Sequence, residues 1–257
     1  MTTRLWLSLF GCSLLLSGCA NRDHGMPVSQ APAKLDEIST TLRQLQQGPK
    51  PKFAIPVSVY AFRDQTGQYK QTESSSSFST AVTQGGTAML TQTLLQSGWF
   101  SPLEREGLQN LLTERKIHSN NKQNKELPSL SEARLLLEGG IVAYDTNLNS
   151  GGVGAEYFGI GMSELYREDR LTLYLRAVDV HTGQVLLSVS ASKKVFSQQL
   201  RTGLFRYVSL NRLAEMEAGY STNEPVQYCV QQALEVAVQS LVEQGQAKGF
   251  WQAERAG

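Results

Sequence analysis

Residues 171–195 read LTLYLRAVDVHTGQVLLSVSASKKV. Leu171, Leu173 and Leu175 fall on every second position, the period of a strand with one face against a core. His181-Thr182-Gly183 separates the runs Leu171–Val180 and Gln184–Val195 as a turn, so the stretch is an antiparallel hairpin. Helix-forming segments flank it on both sides, and the body reads as α+β.

Outward from the hairpin lie two stretches that do not fit an ordinary domain. Before it, Asp145–Tyr166 (DTNLNSGGVGAEYFGIGMSELY) has five glycines, a few aromatics and little charge. Overlapping its end, Ser190–Tyr220 (SASKKVFSQQLRTGLFRYVSLNRLAEMEAGY) carries a turn-like Arg201-Thr202-Gly203 midway. Each is about twice the ~10 residues of one membrane-crossing strand. Alternation sets Tyr157, Gly159 and Gly161 against Phe158, Ile160 and Met162. It also sets Leu204, Arg206 and Val208 against Phe205, Tyr207 and Ser209. Two readings stand: a pair of long surface loops or domain hairpins, and a pair of membrane hairpins.

Further out, Leu135–Tyr144 reads as a buried strand, and Phe53–Arg63 (FAIPVSVYAFR) as a strand closed by the turn Asp64-Gln65-Thr66-Gly67. Helices are expected from about Ser79 to Ser97 with Gly98 as C-cap, around Leu108, Leu111, Leu112 and Arg115, and briefly near Ser131. A lysine- and asparagine-rich loop is expected from His118 to Glu126. Asn223 and Pro225 open a last helix whose Val226, Val230, Ala233, Ala237 and Leu241 face a core, with Cys229 beside that stripe as a small buried hydrophobe. Near the N-terminus Leu35, Ile38, Leu42 and Leu45 recur at helical spacing before Gly48. That narrow stripe suits either its own domain or a neighbouring subunit.

The first residues, MTTRLWLSLFGCSLLLSGC, have a charged start, an apolar run from Leu5 to Leu16, and small residues. This is a secretory signal peptide. Leu16-Ser17-Gly18-Cys19 matches a lipobox, which predicts cleavage before Cys19 and acylation of its thiol. Ala20 at the next position fits sorting to the outer membrane. The expected organisation is a signal peptide at 1–18, a tether and short amphipathic helix at 19–50, and one domain at 51–257. Cys12 leaves with the signal and Cys19 is lipidated, so Cys229 has no disulfide partner and an ordinary core must stabilise the fold. Net charge is +1 with no basic cluster, which argues against nucleic acid as a partner.

Catalytic constellations are missing. His24, His118 and His181 have no metal-ligand spacing. Gly151-Gly152-Val153-Gly154 lacks the lysine or third glycine of a nucleotide loop, and no G-x-S-x-G elbow occurs. Neither an enzyme nor a cofactor is expected.

Five blocks in order, VSVYAFRDQTGQYK, SSFSTAVTQGGTAML, SGWFSPLEREGLQNLLTERK, SGGVGAEYFGIG and GYSTNEPVQYCV, resemble the curli secretion channel lipoproteins of the CsgG family. The resemblance runs from about Phe53 to Trp251. It implies an outer-membrane pore exporting unfolded curli (amyloid) subunits from the periplasm. The implied fold is a periplasmic α/β domain (mixed sheet with helices) plus two membrane-spanning β-hairpins, about 145–166 and 190–220, contributing to an oligomeric β-barrel. Tyr157, Phe158, Ile160, Phe205 and Tyr207 would lie in those hairpins. A ring of roughly nine subunits, four strands from each, would give the ~36 strands of the largest known barrel, itself a channel of this kind. Implied partners are a curli accessory protein capping the periplasmic mouth, a second one at the surface, and outer-membrane lipids.

The family's constriction loop corresponds to Gln71–Phe78, QTESSSSF. Phe78 matches the family phenylalanine, and Ser77 stands where an asparagine belongs. Thr72 or Glu73 takes the place of a tyrosine. An alternative reading is a non-spanning outer-membrane lipoprotein whose domain binds a periplasmic partner such as a peptidoglycan synthase.

Overall fold

Three long strands organise the structure. In this computed structural model the described residues are 38–69, 80–120, 127–150, 165–199, 205–208 and 224–254, all within the unit Glu37–Gly257. Strands β4 (Leu135–Ser150), β5 (Leu165–Asp179) and β6 (Val185–Gln199) pair antiparallel along nearly their whole lengths. Strands β1 (Ile55–Ser58) and β3 (Phe100–Leu103) are parallel to each other, with β1 next to β4. The short β2 (Phe62–Asp64) runs parallel to β4 further up, and β7 (Phe205–Val208) closes the far edge against β6. The mixed sheet has the order β3-β1-β4-β5-β6-β7, with β2 beside β4.

Alternation selects the buried face. Leu171, Leu173, Leu175 and Ala177 on β5 and Leu187, Val189 and Ala191 on β6 are buried, while Tyr174 on β5 and Ser188 and Ser190 on β6 are exposed. Helix α4 (Glu224–Ala247) lies against them with Val230, Ala233, Leu234, Ala237, Val238 and Leu241. Each such leucine contributes roughly 1.5–3 kcal/mol by leaving water. Helix α2 (Gly86–Ser97) adds Leu90 and Leu94 and ends on Gly98, whose φ of +72° makes it the left-handed C-cap expected. Cys229 is fully buried in this core, as its place beside the α4 stripe suggested. Burial, and then the charge of Asp169, push its thiol up to about 12, so it stays protonated at neutral pH.

Helix α1 (Thr40–Gln47) answers the question its narrow stripe left open: Leu42 and Leu45 are buried on its own domain, against α2 and α4. Ser39 is the N-cap, so Ile38 precedes the helix and is 41% exposed. Leu35 lies outside the described residues. Helix α3 (Leu108–Asn120) buries none of its side chains.

Local competition changed several expected boundaries. The run Phe53–Arg63 is two strands rather than one, because Phe62 N takes Thr87 Oγ1 and β2 shifts further up β4. Helix α2 starts at Gly86 and not near Ser79. Thr80 bridges Tyr69, Ala81 N bonds Gln68 O, and the Gly85-Gly86 pair is costly inside a helix. There is no helix at Ser131: Arg105 Nη2 donates to its carbonyl, and Arg134 N donates to Pro56 O on β1. Helix α3 runs through His118 to Asn120, past the expected start of the loop. Strand β4 does not stop at Tyr144 but continues to Ser150, and β5 begins at Leu165, six positions before Leu171.

Candidate functional site

The functional region is built where β4, β5 and β6 run on past the helices. At the lower end β4 has Gly139-Gly140, which lets neighbours approach its backbone. A Cβ at Gly139 would lie 2.0 Å from the carbonyl oxygen of Tyr174, and one at Gly140 2.6 Å from that of Arg63. Glycine inside a strand commonly marks such contact. Gly139→Ala should therefore unfold at lower denaturant, by about 1–3 kcal/mol, read from the urea midpoint; an unchanged midpoint would contradict the close packing.

Immediately above, the register slips between Ile141 and Ala143, a bulge that re-aims the rest of β4. Above the bulge Asp169, fully buried, accepts from Tyr144 Oη and Thr146 Oγ1, both at 2.9 Å. These bonds join β4 to β5 at one level and satisfy a carboxylate that burial would otherwise penalise by several kcal/mol. On the other face Glu168 meets Lys194 at 3.0 Å and Arg170 at 3.5 Å. Polar groups thus form a neck across the three strands. Past it the ladder continues to Ser150↔Leu165 on one side and Gln199↔Phe205 on the other.

A loop stem joins the sheet at the same bulge. Asp64 pairs with Ile141, and Gln65 N donates to Ile141 O at 2.8 Å. Asp64 Oδ1 then accepts from Thr66 N at 2.9 Å and Thr66 Oγ1 at 2.7 Å, and Gly67 has φ +64°, forming the turn expected at 64–67. Ala81 N donates to Gln68 O at 2.8 Å, and Tyr69 bridges Thr80. Tyr69 and Thr80, the described residues on either side of 70–79, therefore lie side by side.

Of the residues singled out in the sequence, Phe205 and Tyr207 lie on β7, in register with Gln199 and Ser197. Cys19, Thr72, Glu73, Ser77, Phe78, Tyr157, Phe158 and Ile160 lie outside the described residues. Among the described residues no His, Cys, Asp and Glu cluster could hold a metal, and no helix is long and apolar enough to cross a membrane.

Residues 39–257 match the family described as "Curli production assembly/transport component CsgG". The chain belongs to the CsgG family. It is 44% identical over 246 residues to the CsgG component of Salmonella typhimurium, covering 93% of this chain and 87% of that one. Against the Escherichia coli K12 CsgG component it is 43% identical over 253 residues, covering 95% and 90%. Among solved structures, the PelC dodecamer of Paraburkholderia phytofirmans is similar at 10% identity and a TM-score of 0.35, over 75% of this chain and 92% of that one. At that level it carries no functional argument. CsgG is an assembly and transport component.

Sequence reasoning about this CsgG-family chain missed the neck. Asp169 was one charge among several in LYREDRL, and nothing local marks it as buried. Gly139-Gly140 inside an apolar strand was a readable signal of close approach that went unused.

Proposed function

We propose that this chain is a subunit of an oligomeric outer-membrane pore that exports unfolded curli subunits from the periplasm to the cell surface. The observation that carries the reading is the continuity of β4 and β5. Their paired backbone runs from a helix-covered core, through the Asp169 neck, to Ser150 and Leu165. Strand β4 alone, at 16 residues and ~3.3 Å each, is about 50 Å long. Two hairpins supply four strands, whereas a membrane barrel has no open edge and needs at least about eight. Several copies must therefore close one barrel, and family membership supports a ring.

In this reading the segments about 145–166 and 190–220 cross the bilayer, with Tyr157, Phe158, Ile160, Phe205 and Tyr207 in the barrel wall. Residues 51–257 form the channel domain, and apart from these two hairpins it lies on the periplasmic side. The loop at 71–78, whose stem is hydrogen-bonded to β4 at the bulge, projects Phe78 and Ser77, with Thr72 or Glu73, into the lumen. The barrel needs no bound nucleotide to act. Confinement removes conformations from an unfolded chain and exit restores them, so a periplasmic cap that prevents return would set direction. Curli accessory proteins would supply that cap and a surface factor.

Electron microscopy of detergent-extracted protein tests the assembly: rings with a central hole are expected, and isolated monomers would defeat the pore. Lipidation is tested separately. Residues 1–18 would be removed and Cys19 acylated, leaving 19–50 as tether and helix. Cys19→Ala should then shift the protein from the outer-membrane fraction to the soluble periplasmic fraction. Quantitative recovery of the variant in the outer membrane would show that the thiol is not the attachment.

A further inference from the structure

Glu235 belongs neither to the neck nor to the loop stem, yet it is 3% exposed in the middle of α4. Its carboxylate is ringed by donors. Ser39 Oγ donates to Oε2 at 2.5 Å, Gln232 Nε2 to the same oxygen at 3.2 Å, and Gln231 Nε2 to Oε1 at 2.9 Å. Gln231 Nε2 also donates to Thr93 Oγ1 on α2 at 3.2 Å. The two glutamines come from α4 itself; the serine comes from the other end of the chain.

Ser39 Oγ also accepts from Leu42 N at 3.1 Å, capping α1. One hydroxyl therefore starts the helix and fastens it to a buried carboxylate. Among the described residues, α1 is also held by buried Leu42 and Leu45 and by a bond from Gln46 Nε2 to Gln96 O at 2.8 Å. A leucine at 235 would fill the site without any demand for donors, since buried charges rarely add stability over packed apolar groups. A carboxylate there instead makes α1 docking selective: without Ser39 the buried charge loses its donor from outside α4.

We propose that Glu235 is a positioning residue, a clip that fixes α1, and with it the point where the N-terminal tether joins the domain. The consequence for the tether rests on the lipid-anchor reading; the clip does not. Glu235 follows Cys229, which borders Asp169, by six positions, about 9 Å along a helix. The clip thus lies less than two helical turns along α4 from Cys229.

Amide hydrogen exchange on the full chain in detergent tests this. Aspartate caps a helix as well as serine, so Ser39→Asp leaves a purely capping role intact but puts a second carboxylate against Glu235. Exchange at Arg43–Gly48 should then quicken by roughly ten- to hundredfold, the loss of a charged hydrogen bond, with Ala237–Val242 unchanged. Adding Glu235→Gln should restore protection, because its amide can donate to the new aspartate. Wild-type exchange in Ser39→Asp would reduce Ser39 to a cap and overturn the proposal. Equal acceleration through α4 and the sheet, or no rescue by the double variant, would overturn it as well. The measurement requires neither lipidation nor a pore, so a failure of either reading appears in fractionation or imaging and leaves this result intact.

Discussion

Arginine at both Phe158 and Ile160 is expected to abolish membrane integration. In the proposed barrel the two positions, two residues apart, would share one face of a strand, while Tyr157 and Gly159 would share the other. A charge on the lipid face costs ~2–4 kcal/mol per chain at the bilayer midplane, and a closed ring repeats the cost in every subunit. Two such charges cost ~4–8 kcal/mol in each chain, a large share of the roughly 5–15 kcal/mol by which a domain is stable, and every subunit bears that cost. Arginine at Tyr157 or Gly159, on the opposite face, should be tolerated far better. The measurement is protease protection and detergent-phase partitioning of each variant. Equal behaviour at all four positions would mean that residues 145–166 are a surface loop and not barrel wall. Reversal, with Tyr157 and Gly159 the intolerant pair, would keep the barrel and exchange its faces.

Phe78→Ala is expected to raise single-channel conductance severalfold in planar bilayers. The stem formed by Asp64–Tyr69 and Thr80–Ala81 meets β4 at the bulge, and the proposed ring would repeat it in every subunit. Each side-chain change is therefore repeated around one ring, and a small trimming in one chain becomes a wide opening in the assembly. In the proposed constriction, Ser77 and Thr72 or Glu73 would stand where the resemblance implies an asparagine and a tyrosine, leaving Phe78 as the aromatic layer. Glu73 would add a ring of negative charge that favours cations. Glu73→Gln should lower cation preference at low salt, and the difference should shrink as salt screens it. Unchanged conductance in Phe78→Ala would place the narrowest point elsewhere, while unchanged selectivity in Glu73→Gln would turn that side chain away from the lumen.

Much of this molecule is written locally. Alternation in 171–195, the turns at Asp64–Gly67 and His181–Gly183, the stop at Gly98 and the stripe on α4 depend on neighbours within a few positions. Sequence alone therefore determined them, along with the five blocks that mark the family. At the His181 turn, for example, Asp179 Oδ1 accepts from Thr182 N at 2.8 Å, and those bonds hold its carboxyl below the usual range. That turn needs no distant partner.

Only the tertiary structure decided what depends on residues far apart in the chain. Whether LYREDRL buries a charge turns on Tyr144 and Thr146 reaching Asp169 from β4, 25 and 23 positions away. Whether the stripe of α1 meets its own domain turns on Ser39 finding Glu235, 196 positions later. The break between β1 and β2 reflects Thr87 capturing the amide of Phe62. A local pattern states which face of an element is apolar. Which partner covers that face, and which buried polar group finds its donors, is set by chain topology, because the free energy of burial depends on the completed surroundings and not on the residue alone.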